Sequence, residues 1–392
     1  MQADCTRRLV MLALCCGWLQ FSTQAADLLS WHTRVHGVAD GPALNAVTFG
    51  KGLFVAVGEN GTVATSTDGS NWAAQVSGTS NGFWRVVYGN GTFLAGGGRQ
   101  LRVSPDGTNW VAVPWPNYDA VLFGLAFAND RFILITRWAQ DQNLWTSTDA
   151  TNWALTGYFS MYGLVLDPAY GAGRYVVVGI MKDDFPVRAE APFVATSTDL
   201  KKFYLPDLDL RFLATGAELQ SVVFDGAKFI AGGGALNEAG YIGSSDDGVN
   251  WHMVASGFPD VNSIAYGDGV YVAGADLGAL LVSTDGDRWT TTQVQEAVAG
   301  VAYGNNTFVA VCGGGTILQS DPVVTLSFAA GTDSTLSIRG PVGRSVVIQA
   351  VDRLSSTNNW KTIGSIVLTN SPVTWTPPSS QLQGFYRASL QD

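Results

Sequence analysis

Short apolar runs alternate with glycine-containing turns along most of the chain, and one such unit recurs. Each unit opens with an alternating run that ends in an aromatic residue, as at residues 47–50, 87–89, 264–267 and 301–304. A Val/Ala-rich run, a glycine-rich break and another short apolar run follow. Alternation with a period of two is typical of half-buried strands, and about four strands fit in each unit. The pattern therefore predicts an all-β repeat protein.

Each unit closes with Ser-x-Asp-Gly and, three residues later, a tryptophan. The first copy runs from Ser66 through Asp68 and Gly69 to Trp72. The other full or near-full copies contain Asp106 and Trp110, Asp149 and Trp153, Asp247 and Trp251, and Asp285 and Trp289. We interpret the motif as a tight turn, because the carboxylate accepts hydrogen bonds from backbone N–H groups of its own turn and glycine tolerates positive φ. The tryptophan then buries its ring between sheets.

The spacing of these motifs predicts a β-propeller. The closing aromatic residues stand at positions 72, 110, 153, 203, 251 and 289, which suits one four-stranded blade per unit. A seventh unit, from about residue 298, breaks off before its fourth strand, whereas residues 29–35 form an isolated strand that carries Trp31. We expect this N-terminal strand to complete the last blade and to remove two free sheet edges. Residues 27–321 are therefore predicted to form a closed seven-bladed propeller.

The repeat ends near Pro322, and the pattern changes to short strands separated by turns rich in Gly, Pro, Ser and Asn. Six strands are predicted, at residues 323–329, 334–339, 345–351, 360–368, 373–375 and 385–390. A segment of this size and pattern predicts a small β-sandwich-like module over residues 322–392.

Charge and the N-terminus restrict the location and the partners. The net charge is -10 and no basic patch recurs, so nucleic acid is not expected as a partner. Arg7 and Arg8 precede an apolar stretch at residues 9–21, and cleavage after Ala25 or Ala26 fits the small residues there. Residues 1–26 are therefore predicted to be a signal peptide. We expect an exported protein, located in the periplasm, at the cell surface or outside the cell, with no transmembrane segment.

Cysteine and histidine offer little for catalysis or metal binding. Cleavage of the leader leaves Cys312 alone of four cysteines, and its place in an apolar run predicts a buried, inert thiol. The three histidines, His32, His36 and His252, form no metal-ligand pattern. We predict no cofactor and no metal, and we expect a monomer.

The closing motif resembles the Asp-box, or BNR repeat, of sialidases and of many other secreted bacterial propellers. The resemblance implies that the five Asp–Trp pairs named above are structural and lie away from the active face. The repeat is also similar to that of propellers that help to assemble photosystem II, although no residue is carried over from it. The C-terminal segment resembles modules found on secreted proteins of environmental bacteria.

A ligand site is expected on the face opposite these turns, where the loops between second and third strands and the links between blades lie. Long polar loops group on consecutive blades there. The candidates for stacking on a sugar ring are Trp115, Tyr118 and Trp138. The candidates for binding polar groups are Arg137, Asp183, Asp184, Arg188 and Arg211.

The sequence is compatible with two functions. A binding module for a glycan or an extracellular protein is favoured, because no convergent set of catalytic groups is visible. The alternative is a sialidase-like glycoside hydrolase, which needs three arginines for a carboxylate, a Tyr–Glu pair and an acid/base Asp. The arginines are scattered through blades two to five and the Arg-Ile-Pro signature of that family is absent, so catalysis is not the favoured hypothesis.

Overall fold

The computed structural model describes residues 10–12, 29–34, 41–117, 119–139, 141–159, 163–182, 190–205, 217–235, 239–328, 335–340, 343–351, 360–378 and 385–390. These residues are almost entirely β-strand, with two short 3-10 turns at Glu59–Gly61 and Asp276–Gly278. The expected all-β class is therefore confirmed.

Successive sheets, here called sheets 1 to 7, follow one another along the chain, and most contain four antiparallel strands. Sheet 1 comprises Leu44–Gly50, Leu53–Gly58, Val63–Ser66 and Ala73–Gln75, and sheet 2 comprises Arg85–Gly89, Thr92–Gly97, Gln100–Ser104 and Val111–Val113. Sheet 3 comprises Val121–Ala128, Arg131–Trp138, Asp141–Ser147 and Ala154–Phe159. Sheet 4 comprises Gly163–Gly171, Arg174–Lys182 and Glu190–Ser197, with an isolated bridge from Thr196 to Tyr204.

Sheets 5 to 7 repeat the same order of strands. Sheet 5 comprises Ala217–Phe224, Phe229–Ala235, Gly240–Ser245 and His252–Phe258, and sheet 6 comprises Val261–Gly267, Val270–Ala275, Ala279–Ser283 and Thr290–Gln293. Sheet 7 comprises Val298–Gly304, Thr307–Cys312, Ile317–Ser320 and the N-terminal strand Trp31–Arg34. The first strand of each sheet packs beside the first strand of the next, and that of sheet 7 also packs on that of sheet 1.

The N-terminal strand pairs where the sequence predicts it. Trp31 lies opposite Ser320 and Arg34 opposite Ile317 in an antiparallel register. The side chain of Gln319 extends this junction to sheet 1, since its Nε2 donates to the carbonyl of Asp68 at 2.7 Å and its Oε1 accepts from Ser70 Oγ at 2.7 Å. Residues almost 250 positions apart in the chain are thereby joined.

At five of the seven junctions between neighbouring sheets, an aromatic ring lies on a glycine. Gly50 ends the first strand of sheet 1, and a Cβ there would lie 2.0 Å from Cγ of Tyr88 in sheet 2. The same contact joins Gly304 of sheet 7 to the Phe49 ring of sheet 1, with 2.1 Å between the imagined Cβ and Cγ. Further copies pair Gly89 with Phe127, Gly171 with Phe224, and Gly267 with Tyr303. Any larger residue would hold the sheets apart.

The Ser-x-Asp-Gly turns have the hydrogen bonds that their sequence predicts. In the first copy, Asp68 Oδ1 accepts from the backbone N–H groups of Ser70 and Asn71, both at 2.8 Å. Ser66 Oγ accepts from the N–H of Gly69 at 2.8 Å, and the Trp72 indole donates to the Gly69 carbonyl at 2.9 Å. The N–H of Asn71 is the main reason why the pKa of Asp68 falls to about 2, although partial burial opposes the shift.

The predicted strands beyond the repeat are also present. The structure has Thr325–Phe328, Leu336–Arg339 and Val373–Trp375 in one sheet, and Ser345–Val351, Lys361–Val367 and Phe385–Leu390 in another. Their buried side chains form a separate apolar cluster that includes Leu336, Ile348 and Tyr386. Val10–Leu12, inside the predicted signal peptide, pairs with Phe385–Leu390.

The cysteine prediction also agrees with the structure. Cys312 is free and fully buried. Burial, with a smaller contribution from Glu296, raises the pKa of its thiol to about 12. A thiol that stays protonated at neutral pH is a poor nucleophile.

Replacement of Gly304 by alanine should destabilise the protein, because the added methyl group collides with the Phe49 ring between the last and first sheets. Overpacking of this kind costs about 1–3 kcal/mol, so urea unfolding should shift to a lower midpoint. The matched control is Gly313→Ala, where no atom lies within 4 Å of the new methyl group. Equal unfolding midpoints for the two variants would contradict the packing argument.

Replacement of Asp68 by alanine should lower the free energy of unfolding by about 1 kcal/mol at pH 7, because turn N–H groups lose their acceptor. The carboxylate has a folded pKa below its unfolded value, so its stabilisation is present above about pH 4. It is lost as pH falls towards 2. Urea unfolding at several pH values should therefore show the two proteins converging in acid.

The control for this prediction is Asp246→Ala, which removes an exposed acid from the equivalent turn of sheet 5. Within the described residues Asp246 has no side-chain hydrogen bond, so its loss should leave the acid profile unchanged. A cost for Asp68→Ala that did not vary with pH would argue against the turn hydrogen bonds as its source.

Candidate functional site

The first strands of sheets 1 and 3 to 7 carry a β-bulge at an equivalent position. The register of pairing shifts on either side of Asn45 in sheet 1, Gln220 in sheet 5 and Asn262 in sheet 6. The equivalent bulge residues in sheets 3, 4 and 7 are Phe123, Leu166 and Ala299. A bulge leaves one residue out of the ladder and redirects its side chain. The repeat thus builds a ring of variable positions inside a constant frame.

A cavity of about 340 Å³ lies at this ring. Its lining is mostly polar and comes from several sheets: Asn45, Trp84, Arg85, Gln220, Asn262, Asp276, Ala297, Ala299 and Gly313. Small-molecule sites commonly have volumes of this order and contain a few convergent polar groups. We take this cavity as the candidate functional site.

Arg85 and Trp84 form the sheet 2 side of the cavity. Trp84 keeps 43% of its side chain exposed, and its backbone N–H donates to the Gly96 carbonyl at 2.8 Å. Arg85 is half-buried, and its Nη1 donates to the Trp84 carbonyl at 3.1 Å. Burial lowers the pKa of the guanidinium, while the charge of Asp167 opposes that shift. An arginine nevertheless remains charged at neutral pH.

Asp167 stands one residue after the bulge in sheet 4. Its Oδ2 accepts from the N–H of Val222 at 3.0 Å and from Ser221 Oγ at 3.2 Å, both in sheet 5. Burial raises the pKa of the carboxyl group to about 6, although the Val222 N–H and the charge of Arg85 lower it in part. Asp167 therefore changes its charge close to neutral pH.

The position after the bulge serves mainly to hold neighbouring sheets together. Ser221 Oγ in sheet 5 accepts from the N–H of Ile264 in sheet 6 at 3.1 Å. Ser263 Oγ in sheet 6 accepts from the N–H of Val301 in sheet 7, also at 3.1 Å. Asp167 makes the same type of link with a carboxylate in place of a hydroxyl. In sheets 4 to 6 this position thus stabilises the frame, whereas the bulge residues Asn45, Gln220, Asn262 and Ala299 line the cavity.

The sheet 6 side of the cavity is acidic. Asp276 is exposed, and its Oδ1 accepts from Asn262 Nδ2 at 2.8 Å. The same amide group also donates to the carbonyl of Val298 at 3.1 Å, which fixes its orientation. Burial raises the pKa of the nearby Asp260, and the negative charge of Asp276 adds to the shift. A cation on sheet 2 thus stands on a different wall from an acidic pair on sheet 6.

Arg137 and Trp138, which the sequence predicts to bind a ligand, lie outside the cavity. Arg137 is half-buried, with its Nε donating to the Ala139 carbonyl at 2.8 Å and its Cζ 5.1 Å from the Phe123 ring centroid. Trp138 is 54% exposed at the end of its strand. Neither lines the cavity. Tyr118, Asp183, Asp184, Arg188 and Arg211 lie outside the described residues.

Trp115 was expected to stack on a sugar ring, but the structure places it in the core. It is 8% exposed and belongs to a cluster with Leu101 and Leu122. Its indole N–H donates to the carbonyl of Ala120 at 3.1 Å and also to that of Asn117. The link between sheets 2 and 3 folds inward around this ring, so the side chain has no free face for a ligand.

The sequence does contain a signal for the residues that were missed. Asn45, Gln220 and Asn262 each stand four residues before the aromatic residue that ends the first strand. In each of these three repeats, one amide residue directly follows an apolar residue. It interrupts the alternation of apolar and polar positions at the same place in the strand. Aligning the repeats on the aromatic residue would have grouped these amides.

The described part of the chain contains no group of three or more His, Cys, Asp or Glu side chains placed to hold a metal ion. Among those residues there is also no helix long and apolar enough to cross a membrane.

Comparison with known proteins identifies the fold. No protein-family model matches the chain, and no curated protein matches it. Streptogramin B lyase matches with a TM-score of 0.59 at 8% identity, over 75% of this chain and 98% of that chain. YCF48 bound to D1 peptide matches with a TM-score of 0.55 at 18% identity, over 74% and 96%. The WD40 β-propeller domain of Doa1 matches with a TM-score of 0.55 at 12% identity, over 74% and 97%.

These similarities show that the chain contains a β-propeller. At such low identities they carry information about the fold alone, and the function has to be argued from the site.

Replacement of Asp167 by asparagine should stabilise the protein at neutral pH. Asn keeps an oxygen that accepts from the Val222 N–H but avoids a buried charge. The folded pKa of Asp167, about 6, lies above the ordinary aspartate value of 3.8, so the folded state holds the proton more tightly. The wild-type protein therefore loses up to about 3 kcal/mol of stability as pH rises through this window, and the variant does not.

Urea unfolding of both proteins between pH 4 and pH 8 measures this difference. The stability advantage of Asp167→Asn should be smallest near pH 4 and reach its full value above pH 6. Asp246→Asn, a change at an exposed acid, serves as the control. A constant difference between wild type and Asp167→Asn across the range would rule out the raised pKa.

Proposed function

We propose that the chain is an exported seven-bladed propeller that acts as a binding module, with its ligand site in the cavity at the bulge ring. Sheets 1 to 7 are its blades, and Trp31–Arg34 is the fourth strand of the last blade. Support for closure comes from the pairing of Trp31 with Ser320 and from the contact of Gly304 with Phe49. A closed ring leaves no sheet edge for unwanted pairing.

In this proposal the Ser-x-Asp-Gly turns, each followed by an aromatic residue such as Trp72, are Asp-box turns that stabilise the blades. Their acceptor oxygens are occupied by their own backbone N–H groups, as at Asp68. Residues 322–392 form a separate β-sandwich-like module in the same proposal, supported by their own apolar cluster. Removal of residues 1–26 on export would also remove the strand Val10–Leu12.

The composition of the cavity wall is the observation that carries the proposed function. Three amide side chains, Asn45, Gln220 and Asn262, face one space with the half-exposed ring of Trp84. The N–H groups of Asn262 are used by Asp276 and Val298, and Asn45 and Gln220 each use one N–H within the protein, so the amides offer their oxygens and the remaining N–H groups to sugar hydroxyl groups. An aromatic face packs against the C–H groups of a sugar ring. The end of a glycan is therefore the ligand that we favour.

An extracellular protein is the second candidate partner. The solved structure of YCF48, one of the similar propellers, contains a bound D1 peptide. In this chain the same amide side chains that suit hydroxyl groups also suit the N–H and C=O groups of an extended peptide. We rank this partner second because a cavity of about 340 Å³ accommodates the end of a ligand rather than a long stretch of extended peptide.

Sialidase-like hydrolysis is the remaining alternative, and the cavity offers less for it. Carboxylate binding in that mechanism uses three arginines. The described residues that line the cavity include one arginine, Arg85. Arg137 lies on Phe123 outside it. We therefore propose binding without turnover.

A glycan array tests this function. The full chain should bind a subset of glycans, and chromogenic glycosides, sialosides included, should not be hydrolysed. Trp84→Ala and Gln220→Ala should each reduce binding about tenfold or more, because a stacking face or a hydrogen-bonding amide is lost from the cavity. Each variant should be checked by thermal unfolding before it is assayed.

Trp138→Ala is the matched control, since it removes another exposed tryptophan that lies outside the cavity. Binding lost in Trp138→Ala and kept in Trp84→Ala would move the site to the loops that the sequence first suggested. Hydrolysis of a glycoside that disappears in Arg85→Gln would replace the binding function with the enzymatic one.

A further inference from the structure

We propose that the cavity selects a small zwitterion, with the ligand's carboxylate at Arg85 and its ammonium group at Asp276. The proposal rests on the binding function given above and narrows its ligand. It follows from the placement of opposite charges in the lining of one cavity, with Arg85 from sheet 2 and Asp276 from sheet 6, and from the amide side chains that share this lining.

Arg85 has unused capacity to bind an anion. A guanidinium carries five N–H donors, and one hydrogen bond is accounted for here, from Nη1 to the Trp84 carbonyl. Among the described residues no carboxylate forms an ion pair with Arg85. Asp167 acts on it at longer range only. A half-buried cation with free donors facing a cavity favours a planar carboxylate, which can accept two of them at once.

The Asp276 carboxylate has unused capacity to bind a cation. One of its oxygens accepts from Asn262, and the side chain is otherwise exposed at the edge of the cavity. A compact ammonium group with three donors suits an exposed carboxylate.

The same charges exclude other ligands. A dianion such as phosphate would be drawn to Arg85 but repelled by Asp167, Asp260 and Asp276, in a chain whose net charge is -10. A simple amine would be drawn to Asp276 but would leave Arg85 without an anion. A molecule that carries both charges satisfies both walls, and Asn45 and Gln220 provide neutral contacts along its length.

A series of ω-amino acids of increasing chain length tests the proposal and measures the span between the two charged walls. Binding to the full chain is followed by isothermal titration at pH 7. The expected result is an affinity that peaks at one chain length. At that length, the zwitterion should bind at least about tenfold more tightly than the carboxylic acid or the amine of equal length.

Charge-removing variants assign the two walls. Arg85→Gln and Asp276→Asn should each reduce the affinity for the best zwitterion about tenfold or more, while Arg85→Lys should retain part of it. Asp167→Asn should tighten binding, because a competing carboxylate is neutralised. No variant should unfold at a lower temperature than the wild-type protein.

Two residues provide matched controls on the same face. Arg99→Gln removes an exposed arginine whose Nη2 donates to the Asp119 carbonyl, outside the cavity. Glu59→Gln removes the acid that begins the equivalent 3-10 turn of sheet 1. Neither should change the affinity for the zwitterion.

Equal affinity for the zwitterion and its singly charged analogues, or binding unaffected by Arg85→Gln and Asp276→Asn, would overturn the proposal. If neutral glycans still bind and Trp84→Ala abolishes that binding, the proposed function stands and the zwitterion selectivity alone fails. If neither zwitterions nor glycans bind, both are overturned.

Discussion

The close approach of neighbouring sheets depends on one steric constraint, the contact between an aromatic ring and a glycine. Gly50 receives Tyr88, and at the other end of the repeat Gly304 receives Phe49. Because the first strand ends without a side chain, the ring of the next sheet can lie directly on its backbone. This contact sets the distance and angle between sheets, and hence the width of the space that their first strands enclose.

Structural and variable positions are separated within each repeat. The turn at Asp68, the glycine at the end of the first strand and the hydroxyl links of Ser221 and Ser263 all satisfy backbone groups or permit close packing. The bulge position beside them makes no ladder pair, although its side chain can still bond to the next sheet, as Asn45 does to the Phe83 carbonyl and Asn262 to the Val298 carbonyl. Amide, aromatic and aliphatic residues all occur at the bulge position. This variation between repeats determines which side chains line the cavity.

The sequence predicts the frame better than the site, for a physical reason. Local turn chemistry and alternation were enough for the strands, for the pairing of Trp31 with Ser320 and for the hydrogen bonds of Asp68. The cavity residues are set by bulges, which depend on pairing with the next strand and leave only a one-residue irregularity in the sequence. Trp115 failed as a candidate because a loop that looks exposed and polar folds its ring into the core.

The junction of the N-terminal strand also has a mechanical consequence. Trp31 lies opposite Ser320, and the N–H of Asp321 donates to the carbonyl of Ser30 at 2.9 Å, so both strands leave the sheet at the same end. A stretching force applied through the two chain ends would load these hydrogen bonds one after another, as in a zipper, rather than all together in shear. The element that joins the ends of the repeat is thus the one that tension would peel away first.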